Sequence, residues 1–162
     1  MPSTYEPIAT TTLGSAASSV TFSSISGSYT DLILVFAGTT ASNAYPSLRF
    51  NGDTGTNYSN TNFRGNGTSA QSTRFNSANE MDIAYGSPLS TTQANFIIQI
   101  MNYSNTTTNK TVLARTNNAD RETGAAVGLW RSTSAINSVT LKSNSPNFDV
   151  GSTFTLYGIK AA

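Results

Sequence analysis

Short runs of alternating apolar and polar residues recur about every dozen positions along the chain, separated by Gly, Asn, Ser and Pro clusters. Residues 19–22 alternate, with Val20 and Phe22 on one face. Pro46-Ser47-Leu48-Arg49-Phe50 does the same and runs into Asn51-Gly52-Asp53, a tight-turn signal. Residues 31–37 (Asp-Leu-Ile-Leu-Val-Phe-Ala) are apolar on both faces, which predicts a central strand covered on both sides. Residues 95–101 form a second strongly apolar strand. Further strands are expected over 8–13, 58–63, 81–85, 110–115, 125–130, 136–142 and 151–160. The last of these alternates Phe154 and Leu156 with Thr153, Thr155 and Tyr157, and should pair deep in a sheet. Residues 65–73 are small and polar and read as a long surface loop.

Helix signals are nearly absent, because Glu, Lys, Gln and Arg are scarce while Thr, Ser, Asn and Gly are abundant. Nine or ten short strands with no dividing linker predict one all-β domain. The expected fold is a two-sheet antiparallel sandwich, jelly-roll-like, with an up-and-down barrel as the alternative. Residues 1–7, with Pro2 and Pro7, read as an extended N-terminal arm, and residues 8–162 as the domain.

Composition changes the picture at the surface. Ser, Thr and Asn make up roughly two-fifths of the chain. Charged residues are only 10%, yet there are 8 Phe, 7 Tyr and 1 Trp, so the chain reads as folded and not disordered. The net charge of +1, with scattered basic residues, argues against a nucleic-acid partner. The longest apolar run, residues 32–37, is too short for membrane insertion as a helix, and the polar start lacks the pattern of a signal peptide.

The chain has no Cys and no His, which removes thiolate and imidazole chemistry from consideration. A Ser nucleophile would need Lys110, Lys142 or Lys160 as its base, and no Ser-x-x-Lys motif supplies one. The carboxylate pairs Glu80/Asp82 and Asp120/Glu122 read as solvated edges, not as a glycosidase pair. Residues 51–57 place oxygen ligands at alternate positions, as calcium loops do, but lack the closing Glu, so a hairpin-type turn is expected there. No enzyme activity, metal or cofactor is therefore expected. The Asn-x-Ser/Thr sequons at Asn57, Asn66, Asn102, Asn105 and Asn109 are read as a product of composition. Aromatic residues beside polar loops make the candidate interaction surface: Tyr5, Tyr45, Tyr58, Phe63, Phe75 and Tyr103, with Phe148 of the same kind.

Three stretches carry a resemblance. They are Thr21-Phe22-Ser23-Ser24-Ile25 with Tyr29-Thr30-Asp31-Leu32, then Leu48-Arg49-Phe50-Asn51-Gly52-Asp53-Thr54-Gly55 with Asn57-Tyr58, and Thr133-Ser134-Ala135-Ile136 leading to Gly151-Ser152-Thr153-Phe154-Thr155-Leu156-Tyr157-Gly158-Ile159-Lys160. Together they resemble small virion structural proteins of tailed bacteriophages, notably those of aquatic bacteria. The resemblance implies a virion location after synthesis in the host cytoplasm, and no catalytic residues. It implies a capsid decoration (cement) protein that self-associates, as a homotrimer matching local threefold symmetry, and clamps the major capsid protein. The alternative is a tail, fibre or baseplate module that binds a host-surface glycan. A strand pattern running from Ile8 to Lys160, with no stretch for a fibre shaft, favours decoration.

Overall fold

In the computed structural model, residues 4–86 and 88–160 are described. They are all-β and contain no helix. The strands are β1 (Tyr5–Thr12), β2 (Ser19–Phe22), β3 (Asp31–Gly38), β4 (Pro46–Phe50), β5 (Tyr58–Gly65), β6 (Ala70–Ala78), β7 (Met81–Asp82), β8 (Ala94–Met101), β9 (Lys110–Asn118), β10 (Glu122–Trp130), β11 (Val139–Ser143) and β12 (Thr153–Ile159). They pair antiparallel in two sheets, one of eight strands in the order β1-β12-β3-β8-β9-β10-β5-β6 and one of four in the order β2-β11-β4-β7.

Half of the large sheet, β1-β12-β3-β8, combines with the small sheet β2-β11-β4-β7 to give the eight-strand jelly-roll order. Apart from β4 and β7, which pair within the small sheet, successive strands of that core cross between the sheets, which excludes an up-and-down barrel. The remaining strands enter as two antiparallel pairs, β5-β6 and β9-β10, and widen only the large sheet.

The inner faces interdigitate around aromatic rings. Phe36 of β3 lies 5.0 Å from Phe96, 5.3 Å from Phe148 and 5.0 Å from Phe154, centroid to centroid. At the other end of the core, Trp130 stacks on Tyr58 at 6.3 Å and meets Phe50 at 5.6 Å. Gly128 of β10 makes room for β7: a Cβ there would sit 2.1 Å from the Met81 sulfur, and Met81 is itself buried. The backbone of β10 and the small sheet thus approach closely at that point.

Two expectations need amending. The strand expected from Ile8 begins at Tyr5, because Tyr5, Glu6 and Pro7 already pair with Ile159, Gly158 and Tyr157. The first three residues of the expected arm lie outside the described residues. The loop expected over 65–73 is short, since β6 starts at Ala70 and pairs along β5. β6 is a sheet edge that is exposed or half-buried throughout, so it carries no apolar alternation to announce it.

Candidate interaction face

The small sheet covers one face of the large sheet and leaves the other open. The register defines that open face. Val35, Ile97, Arg115, Ala125 and Phe63 form one line across β3, β8, β9, β10 and β5. Ile33, Gln99, Leu113, Val127 and Thr61 form the next. Phe63 and Val127 are each 51% exposed, Ile97 39% and Leu113 36%. Four large apolar side chains thus stand in solvent on adjacent strands, with Ile33 and Val35 half-buried beside them. Such a contiguous patch is a mark of an interaction site, whereas scattered single apolar residues are not.

The outward positions of the small sheet differ in kind, and Ser47 among them is buried by the chain itself. Its lines are Thr21, Thr140 and Arg49, and Ser19, Lys142, Ser47 and Asp82. Thr21 and Thr140 share a hydrogen bond of 2.9 Å. Glu80 holds Arg49 at 3.0 Å and Lys142 at 2.5 Å. Every position there is polar, while the outer face of the large sheet is apolar at its centre.

The six aromatics expected to form one surface separate into three environments. Tyr5 (55% exposed) and Phe63 are on the surface, but β1 and β5 lie on opposite sides of the sheet centre. Tyr45 and Phe75 are half-buried and flank Tyr85, at 5.9 Å and 5.0 Å, in edge-on contact. Tyr58 and Tyr103 are fully buried, which corrects their placement on the surface. Each sits where its hydroxyl finds a partner, as a buried phenol must. The Tyr58 hydroxyl accepts from Phe50 N at 3.0 Å, and burial pushes its pKa up to about 12. The Tyr103 hydroxyl donates to the Ser26 carbonyl and accepts from Tyr29 N, and burial again raises its pKa. Phe148 is buried in the Phe36 cluster.

Residues weighed for catalysis are engaged elsewhere. Lys110 is buried and donates to the Thr108 and Thr133 carbonyls at 2.7 and 3.2 Å, with its pKa lowered by that burial. Lys142 and Lys160 bind Glu80 and Glu6. Glu122 pairs with Arg64 at 2.9 Å, while Asp120 accepts from Thr92. In the Asn51–Asn57 segment, Asn51 and Gly52 have φ of 53° and 66°, the signature of an Asn-Gly turn. Asp53 spends its oxygens on Trp130 Nε1 (2.7 Å), Asn57 Nδ2 (2.9 Å) and Gly55 N (2.8 Å). Among the described residues, no group of three or more His, Cys, Asp and Glu side chains could hold a metal.

Asp82 is held toward its neutral form. Burial, then the charge of Glu80, push its pKa from 3.8 up to about 6, against the opposing pull of Lys142. The folded state therefore holds this proton more tightly than the unfolded chain does. That contribution to stability is full below pH 3.8 and is lost as pH rises through about 6. Asp82→Asn should raise the unfolding free energy at pH 7.5 by about 1 kcal/mol, once solvent screening is discounted. The gain should vanish below pH 4 in urea titrations.

No protein-family model matches this chain, and no curated protein matches its sequence. The class is defined by fold and surface alone: an antiparallel jelly-roll sandwich, widened by two hairpins, with one apolar sheet face open.

Proposed function

We propose that this chain is a non-enzymatic structural protein of a phage virion, acting as a capsid decoration protein. It self-associates and clamps neighbouring major capsid subunits. The observation that carries the reading is the contrast between the two outer faces. One is polar at every outward position, and the other presents Ile97, Leu113, Val127 and Phe63 to solvent. An assembly protein needs such a face, and a soluble monomer is penalised for it by aggregation. The resemblance to small virion proteins supplies the setting. With few charges in the contact, binding should also depend only weakly on salt.

The test is imaging of particles labelled with an antibody against this chain. Label spread over the shell supports decoration, and its absence from particles overturns the virion reading.

Label at the tail would favour the second reading, a receptor-binding module for host-surface glycan. One observation favours that reading. Phe63 is half-exposed beside an open groove of 590 Å³ that Gln71, Ser72 and Thr123 also line. An aromatic ring next to amides and hydroxyls suits a sugar ring. On a glycan array, Phe63→Ala should then abolish binding.

A further inference from the structure

We propose that the occupant of the open face of the large sheet is a second copy of this chain, packed face to face about a twofold axis. The inference rests on the assembly reading above and names the partner at that same face.

Three observations select a copy over another occupant. The first is area. Five strands about 4.8 Å apart, over about seven residues at about 3.3 Å each, cover roughly 550 Å². Two such faces bury about 1,100 Å², which clears the roughly 1,000 Å² that a specific interface needs. The second is shape. Stacked sheets pack well when both carry the same right-handed twist, about 10 Å apart and within about 30° of each other. A copy of the molecule supplies such a face in full.

The third is charge. Arg115 stands exposed in the middle of the apolar lines, and Asp31 stands at the corner of the same face on β3. Neither takes part in an ion pair among the described residues. Asp31 accepts hydrogen bonds only from Asn102 N and Gln99 Nε2, both neutral. A face bearing both an unpaired cation and an unpaired anion can satisfy each from a copy of itself. A uniformly basic or acidic partner could answer only one of them. One sheet face can be covered by one other, so the pairing is isologous and closes at two subunits, not at the three expected from capsid symmetry.

Sedimentation equilibrium of the full chain tests this. The expected mass is twice 17.1 kDa at tens of micromolar. Ile97→Lys combined with Val127→Lys places four lysines in the contact and should weaken the pair at least 100-fold. The melting temperature of the separated subunits should change little, because both side chains are partly exposed on the subunit surface. Thr21→Lys, on the outer face of the small sheet, should leave the mass at the dimer value. Since the chain has no Cys, Leu113→Cys provides a second readout. A short bis-maleimide should cross-link it to a dimer, while Thr21→Cys stays uncross-linked. A wild-type monomer, a trimer, or a dimer indifferent to both Leu113→Cys cross-linking and the double lysine variant would overturn the proposal. A solution dimer that is absent from particles would defeat the virion reading and leave the pairing intact. A monomer found on particles would do the reverse.

Discussion

Phe36→Ala lowers the unfolding free energy by about 3–5 kcal/mol, a loss at the upper end for a single truncation. Phe36 sits at the junction of three other rings and is fully buried, so no solvent can fill the space it leaves. Those rings come from three places: Phe96 from β8, Phe154 from β12, and Phe148 from the segment that precedes β12. Collapse of one neighbour into the void would pull a strand out of its ladder, which is why relaxation recovers little. Phe36→Leu keeps more of the volume and should lose about half as much. Chemical denaturation followed by circular dichroism measures both, and a loss below about 1 kcal/mol for the alanine variant would contradict this packing.

Asp53→Ala is expected to cost about 2–3 kcal/mol through hydrogen bonding. Trp130 is nearly inaccessible, and its indole N–H donates to Asp53 Oδ2. Removing the carboxylate leaves that donor without its partner at a part-buried site, and frees Asn57 and Gly55 as well. Asp53→Asn retains one acceptor and should lose less. The pH dependence has the opposite sign to that of Asp82. Burial pushes the Asp53 pKa up, but the bonds from Trp130, Asn57 and Gly55 outweigh it and hold the carboxyl below 3.8. This stabilisation is present above pH 3.8 and is lost as pH falls through the lower folded value. The wild type should therefore lose stability in strong acid along a limb that Asp53→Asn lacks. The chain has a single Trp, so its fluorescence reports directly on the site.

The central strands of the fold were legible because apolar periodicity is strongest where burial is deepest. Residues 31–37, 95–101 and 151–160 announced themselves in this way, and the structure places β3, β8 and β12 there, side by side. The edge strand β6 was not legible, since an edge open to solvent imposes no pattern on its residues. The candidate face was visible in the sequence under another meaning. Ile33 and Val35 make β3 apolar on its second face, and that doubling signals cover by some partner. Periodicity cannot say whether the cover comes from the same chain or another. Tyr58 and Tyr103 misled for a related reason. Their polar neighbours in sequence are not their neighbours in space, and a phenol with one bonded hydroxyl is at home in a core.

The two inserted hairpins divide the labour within the chain. They add Tyr58, Ala114 and Trp130 to one end of the core, and β5, β9 and β10 carry three of the five columns of the open face. Outward positions on those strands, such as Leu113, Val127 and Phe63, can change without touching the Phe36 cluster. A lineage could in this way retune what the surface recognises while the scaffold beneath it stays constant.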